Sequence, residues 1–490
     1  MAQILAAVGG GCLFNGCASV SDLVARLRAG AQSAGSALPD DSVAGATRTV
    51  LHQAFSAYGP GGGLGRVQIV LIAQPTDETA ASDTLSDDAL VGLGVDAARA
   101  AGEAAEEIQR PERASDLPSG LSAAEAALTS GRSDTVVIVG VSQSGSALDG
   151  AEAPFSLAFD KAGVAPPVSE GAAAIALRRV EEAAPRYARL TPISRTEETG
   201  ARGVEAAFQG LLSAESWRPS QVGLLAISGR RRAAVAEATA LARLYREGPR
   251  ETALYAALAS LGDAGPASDV ASLIVAAQCV ERALLPQTPH WSGPGPVALK
   301  EAEGLYVTEE ARIWLGREDA PRRIAAVACQ GADGRSAFIG VEAGSISAPI
   351  AATALSPGRP LLFPLAASDR DGLRAGLAAL TESAAGADDL VGLAKQCMVR
   401  ADQASSSPER MAIVASSAKE LAREIGFMTK GLAKAEQSDK AIRTPGGSVY
   451  APKPIARGGG KIAFVTPGIG SAYVGLGKEI LLSFALQCTG

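Results

Sequence analysis

The chain has 490 residues, 47% of them hydrophobic, a formal net charge of −7 and a pI of about 5.3. That length allows two or three domains of ordinary size, and an acidic balance with no basic stripe argues against a nucleic-acid partner. Six scattered cysteines (Cys12, Cys17, Cys279, Cys329, Cys397 and Cys488) show no metal-binding spacing, so no metal site and a reducing, cytoplasmic setting are expected. Residues 1–10 lack a signal-peptide pattern, and no apolar run approaches the ~18 residues of a membrane span.

Residues 3–9 read as a strand ending at the glycine run Gly9-Gly10-Gly11. A helix over 21–29, a polar loop over 31–45 and a helix over 46–57 carrying His52 follow. Pro60 to Gly63 breaks the chain before a strand over 66–73. Residues 85–108 are Ala-rich and read as one long helix. Ser, Pro and Gly within residues 113–120 mark a turn. The next ten residues, 121–130, form a buried helix capped by Gly131. Residues 134–140 are a β-branched, buried strand. A Ser/Gly/Ala-rich loop, 143–165, leads to strands over 172–179 and 188–194.

The pattern then recurs: helix 203–213, strand 222–228, helix 232–245, a very apolar helix 268–285 and strands 324–329 and 337–342. Strands alternating with helices define an α/β fold, and the recurrence suggests an internal duplication. Past Ala343 a Ser/Ala/Pro connector leads into a small α/β module: strand 360–367, helices 369–382 and 387–399, strand 411–415 and helix 417–425. Residues 437–460 are rich in Gly, Pro and Lys and read as a surface strap. A strand over 461–465, a Gly turn and a helix from about 478 open a third unit. Its tail ends in Gln487-Cys488-Thr489-Gly490, as a truncated gene product would.

Several features that tempt a functional reading have plainer ones. Gly61 to Gly65 precedes a strand and lacks Lys-Ser/Thr, so it is a turn and not a phosphate loop. The pairs Asp87-Asp88 and Asp388-Asp389 are solvated helix starts. The chain has only two histidines, His52 and His290, and neither neighbours a nucleophile in sequence.

Three stretches resemble the ketosynthase of polyketide and fatty-acid synthases. They are Val8-Gly9-Gly10 with Leu23 and Leu27-Arg28-Ala29-Gly30; Pro154-Phe155, Phe159-Asp160 and Ser169-Glu170-Gly171-Ala172-Ala173-Ala174; and Ala311-Arg312-Ile313-Trp314 with Arg322-Arg323-Ile324. Residues 360–425 resemble the linker domain that follows a ketosynthase, and residues 462–477 are similar to the first motif of acyltransferases. The order of parts is similar to one subunit of polyunsaturated fatty acid synthases. The resemblance implies a thiolase-like fold of duplicated α-β-α-β-α layers over residues 1–345. A linker domain over 346–436, a strap over 437–460 and an acyltransferase start over 461–490 would follow. It also implies an active ketosynthase and an acyl carrier protein as partners, a homo- or heterodimer, and acyl-CoA or malonyl-CoA and a phosphopantetheinyl carrier as substrates, with no bound cofactor.

A ketosynthase needs a Cys thiolate at the start of a buried helix, where free N–H groups lower its pKa, and two His to assist decarboxylation. Counting back without gaps from Leu128 and Gly131, the resemblance puts the Cys position at Ala114. It puts the His positions at Ser228 and Asp263, a supporting Lys at Leu258, and the His of the closing loop at Phe338. All are emptied; Ser115 or Ser119 is a conceivable substitute nucleophile, but a hydroxyl without a nearby base is inert. Gly468, Ile469 and Gly470 match the acyltransferase oxyanion turn, with Ile469 in place of the usual Gln. The nucleophilic Ser of that domain is not in these 490 residues. The expectation is a non-catalytic, chain-length-factor-like scaffold leading into an acyltransferase; the alternative is a truncated fragment with no activity of its own.

Overall fold

In the computed structural model the first strand, β1 (Leu5–Phe14), runs through the glycine run instead of ending at it. The glycines serve packing. A Cβ on Gly9 would lie 2.1 Å from the Ala54 carbonyl oxygen, and one on Gly11 would lie 2.3 Å from that of Val50. Ala54 and Val50 belong to the helix that covers the strand, so its backbone approaches β1 more closely than any side chain allows. The structure describes residues 5–14, 17–29, 43–56, 63–72, 85–103, 105–142, 170–180, 188–227, 231–248, 251–289, 302–316, 322–343, 360–385, 390–404, 406–435 and 441–452, with 470, 473, 476 and 477 besides. They divide into two compact units, the first made of the described residues up to 350 together with Gly477 and the second of those from 351 to 476.

The first unit continues with α1 (Val20–Ala29), α2 (Val43–Ser56), β2 (Gly65–Ile72), α3 (Asp87–Ala100), β3 (Ala105–Ile108), β4 (Glu112–Ala114), α4 (Leu117–Thr129), β5 (Thr135–Ser142) and β6 (Gly171–Arg179). Its second half holds β7 (Ala188–Leu190), β8 (Ser194–Thr199), α5 (Gly200–Glu215), β9 (Val222–Ile227), α6 (Arg231–Leu244), β10 (Thr252–Ala256), α7 (Leu258–Leu261), α8 (Pro266–Glu281), β11 (Leu284–Leu285), β12 (Leu305–Val307), β13 (Arg312–Ile313), β14 (Ile324–Gln330) and β15 (Arg335–Ala343).

The duplication is visible in the sheet. Across the first half the strands lie in the order β3, β2, β5, β6, β1, with β4 also paired to β2. The second half repeats that order as β10, β9, β14, β15, β7. In each half the second strand pairs in parallel with the third, and the fourth is antiparallel to both its neighbours. The halves join where β1 pairs with β7, antiparallel.

Alternation along the strands sorts side chains into three layers. α2 and α3 cover one outer face, with Val8, Val67, Ile69 and Val137. α5 and α6 cover the other, with Val222, Leu225, Ala326 and Phe338. α1, α4 and α8 fill the middle, against Ile72, Ile138, Leu224, Val327 and Ile339. These are the five α-β-α-β-α layers that the resemblance implies. In α8, 14 of 16 residues are buried, as expected of a helix that is apolar all round. A Cβ on Gly140 would lie 2.4 Å from the Pro266 carbonyl oxygen, so the start of α8 rests on β5 there.

The long helix expected over 85–108 is two elements. Gly102, at φ +72°, ends α3, and β3 follows as a strand parallel to β2. The helix expected from 121 begins at Leu117.

The second unit contains β16 (Leu361–Ala367), α9 (Arg370–Ala385), α10 (Leu390–Gln403), β17 (Glu409–Ala415), α11 (Ala418–Ala435), β18 (Ile442–Arg443) and β19 (Val449–Tyr450). The order β16-β17-β19-β18 is antiparallel throughout. The residues expected to form a strap therefore contribute two strands. Glu424 of α11, fully buried, pins their turn by accepting hydrogen bonds from the hydroxyls of Ser448 (2.7 Å) and Thr444. No periodic pattern marks so short a hairpin. Gly468 and Ile469 lie outside the described residues, and Gly470 is exposed at φ +100°.

Candidate functional site at the head of the buried helix

Ala114 is the last residue of β4, half-buried against the central layer and paired with Ile72 of β2. It stands two residues ahead of the helix cap. The N-cap of α4 is Asp116, in extended conformation, whose Oδ1 accepts the Ser119 N–H at 2.7 Å. Asp followed by Pro in the first turn is the cap-and-start pattern of helices, and it also explains why a Ser-Pro-Gly stretch is not a turn here. Gly120, inside α4, lies against Ile72 and Ile138.

The carboxylate of Asp116 is a hub. Oδ1 also accepts the Ser119 hydroxyl, and Oδ2 accepts the Ser115 hydroxyl at 3.2 Å. Oδ2 further accepts the N–H of Ala332 at 2.7 Å, from the turn between β14 and β15. Burial pushes the Asp116 pKa up, but the bonds from the Ser119 hydroxyl, the Ala332 and Ser119 amides and Ser115 outweigh it and hold it below the ordinary carboxylate value.

This wiring decides what the helix terminus can do. In the first turn Pro118 has no N–H and Ser119 has given its own to Asp116, so the donors that would stabilise a thiolate or an oxyanion are largely spent. Asp116 also neutralises the positive end of the helix dipole. Ser115 and Ser119 donate their hydroxyl protons to a carboxylate that is a weaker base than usual, which leaves them unactivated.

Around this head the structure gathers more acid than base. Cys329, at the end of β14, is buried, and burial followed by the charges of Asp269 on α8, Glu237 on α6 and Asp116 pushes its thiol well up, opposed by Arg195. Its sulfur lies 3.9 Å from the Val327 carbonyl oxygen. A thiol in that setting is a small apolar side chain and a poor nucleophile. Arg195 donates to the Pro118 carbonyl from β8.

The remaining expected positions disperse. Asp263 lies in the turn between α7 and α8, half-buried, with Oδ1 accepting the Gly265 N–H at 3.0 Å. Leu258 is buried in α7. Phe338 is fully buried on the outer face of β15, its ring 5.0 Å from that of Phe208, while Ala337 and Ile339 face the central helices. It thus belongs to a different layer from α4. His52 sits on α2 in the outer layer. Ser228 and His290 lie outside the described residues. Among the described residues no group of three or more His, Cys, Asp or Glu side chains is arranged to hold a metal ion. Sequence reasoning missed Asp116, Arg195 and Cys329 as site residues; for Asp116 the Asp-Leu-Pro-Ser cap pattern was the available signal.

No family model matches the sequence. Polyketide synthase GfsE of Streptomyces halstedii is 28% identical over 223 residues, 45% of this chain and 6% of that protein. Pikromycin polyketide synthase component PikAIII of Streptomyces venezuelae is 25% identical over 358 residues, 69% of this chain and 21% of that protein. A polyunsaturated fatty acid synthase component of a Thraustochytrium species is 29% identical over 255 residues, 47% of this chain and 12% of that protein. The chain therefore spans about a fifth or less of the length of these curated relatives. Among solved structures, the ketosynthase from module 6 of the bacillaene synthase of Bacillus subtilis superposes with a TM-score of 0.56 at 17% identity, over 91% of this chain and 86% of that one. Ketosynthase twelve of the bacillaene synthase of Bacillus amyloliquefaciens gives 0.54 at 17%, over 87% of each chain. The order of the duplicated sheet and these relatives agree: the chain carries a ketosynthase-like region with the thiolase-like fold, of the kind found in polyketide and polyunsaturated fatty acid synthases.

Proposed function

We propose that the ketosynthase-like region is a non-catalytic scaffold, akin to a chain-length factor, within a polyketide or polyunsaturated fatty acid synthase. The observation that carries this reading is the Asp116 carboxylate, which takes the Ser119 and Ala332 amides that a reacting anion at this helix head would need. A malonyl carboxylate approaching it would meet Asp116, Asp269 and Glu237, charges of its own sign. The scaffold pairs with an active ketosynthase of the same synthase. By the resemblance of residues 462–477 to an acyltransferase opening, it leads into a domain that loads malonyl or acyl groups from CoA onto the phosphopantetheinyl arm of an acyl carrier protein.

Mixing the chain with the active ketosynthase of its synthase on a sizing column tests the pairing. Co-elution as a heterodimer is expected; separate elution at all concentrations overturns it. In-frame coding sequence after Gly490 that contains a Gly-His-Ser-x-Gly elbow is expected for the acyltransferase assignment, and its absence removes that part.

A further inference from the structure

Cys12 and Cys17 are not used by any part of the site at the helix head. Cys12 lies near the end of β1 and Cys17 just beyond the turn, and their sulfurs are 3.6 Å apart, both buried. Two reciprocal backbone bonds fix the approach: Phe14 N–H to the Cys17 carbonyl and Cys17 N–H to the Phe14 carbonyl, each 2.8 Å. Gln53 of α2 clamps the turn from outside. Its Oε1 accepts the Cys12 N–H at 2.9 Å and its Nε2 donates to the Ala18 carbonyl at 2.7 Å. At the start of α1 the Asp22 N–H donates to the Ser19 hydroxyl at 3.2 Å, and the Asp22 carboxylate accepts the Ser19 hydroxyl at 2.9 Å and the Ala18 N–H at 3.1 Å. The thiols are therefore held in van der Waals contact by the backbone on both sides. A disulfide needs about 1.5 Å of further approach, within reach of side-chain rotation. Among the described residues, Cys279, Cys329 and Cys397 have no such cysteine neighbour.

We propose that Cys12 and Cys17 form a redox dithiol that a peroxide converts to an intramolecular disulfide. Both sulfurs are enclosed, so the oxidant must be as small as hydrogen peroxide; a bulky disulfide has no access. Cys17, at the mouth of the turn beside exposed Ala18, is the attacking thiol. Its sulfur takes one peroxide oxygen, the O–O bond breaks, and the thiol proton leaves with the other oxygen as water, giving a sulfenic acid. The Cys12 sulfur then attacks the Cys17 sulfur, the S–OH bond breaks, and the hydroxide takes the Cys12 proton as a second water. Cys12 fits the resolving role, because the Cys17 sulfur, then burial, then Asp22 push its own thiol up and leave it the poorer first nucleophile. The product closes a covalent ring between the end of β1 and the start of α1, where hydrogen bonds alone now hold. Once digestion has released the peptide from the fold, a thiol reductant reaches the disulfide and restores the dithiol.

The test uses the full chain, treated with hydrogen peroxide, alkylated and digested with trypsin. Residues 1–26 contain no Lys or Arg before Arg26, so both cysteines fall in one peptide. The expected product is that peptide lighter by two hydrogens, unalkylated at both sites and restored by reductant, while Cys279, Cys329 and Cys397 stay reduced. Cys17→Ser abolishes the mass loss and leaves Cys12 alkylatable after unfolding; if that variant fails to fold, the wild-type map decides alone. Two outcomes overturn the proposal: both residues remaining thiols while Cys279 or Cys329 oxidises, or Cys17 advancing to sulfinic acid with Cys12 untouched.

Discussion

The carboxylate of Asp116 accepts the amide of Ala332 at 2.7 Å, joining the cap of α4 to a hairpin turn 216 residues further along the chain. One side chain thereby ties the central helix of the first half to the last two strands of the second, across the joint of the duplicated fold. It also sets a negative charge at the helix head, which opposes the approach of an outside anion there.

Removing that carboxylate loosens both ends. Asp116→Ala loses a helix cap and a charge-assisted bond to the hairpin, a cost of about 1–3 kcal/mol at neutral pH. Hydrogen exchange should speed up at Ser119 and at Ala332 together, with little change in α8. Exchange rising at Ser119 alone would show that the link to the hairpin is not made.

The same group sets an acid limit. Its folded pKa lies below the ordinary 3.8, so its contribution is present above the unfolded value and is lost as pH falls through the folded one. Urea midpoints measured downward from pH 5 should fall faster for the wild type than for Asp116→Asn, which starts lower.

Glu281 behaves in the opposite sense. Burial pushes its carboxyl from an ordinary 4.5 up to about 7, opposed by Arg282 and Gln278. The folded state holds the proton longer than the unfolded chain, so stability declines as pH rises from about 4.5 to about 7 and then levels off. Glu281→Gln, which mimics the protonated form, should match the wild type near pH 4 and exceed it near pH 8 by a few kcal/mol at most. Equal stability at both pH values would contradict the assignment.

The glycines of β1 and α3 should respond in opposite directions. Gly11→Ala puts a Cβ 2.3 Å from the Val50 carbonyl oxygen, forcing α2 off the strand at a cost of several kcal/mol. Gly92 in α3 is exposed with nothing near its Cβ direction, so Gly92→Ala should stabilise by about 0.5–1 kcal/mol. Thermal midpoints of the two variants decide it.

In the second unit, Glu424→Ala leaves the Thr444 and Ser448 hydroxyls without their shared acceptor and opens space beneath Gly446. The hairpin of β18 and β19 should lose exchange protection while β16 and β17 keep theirs. Uniform loss across the sheet would mean that Glu424 supports the whole unit.

Much of the architecture was legible in the sequence because burial writes itself into periodicity. Val136 to Val139 could only be a buried strand, and the apolar run of α8 only a core helix. The glycines misled: at Gly9 to Gly11 they permit close packing and do not break the strand, whereas Gly102 ends a helix that the Ala-rich pattern extends. Asp116 was hidden by its neighbours Pro118 and Gly120, which in isolation signal a turn. Its bond to Ala332 leaves no local trace, since a cap and a hairpin amide so far apart meet only through the fold. Phe338 shows the limit of motif counting, because strand alternation turns it to the face away from α4.

Acyl loading of the intact chain tests the central claim most directly. The full-length protein is incubated with acyl-CoA and with an acyl-pantetheine thioester, then analysed by intact mass and peptide mapping over residues 1–343. The scaffold reading predicts no covalent acyl adduct on that region at any pH from 6 to 9. A stoichiometric adduct on Ser115, Ser119 or Cys329 would contradict it.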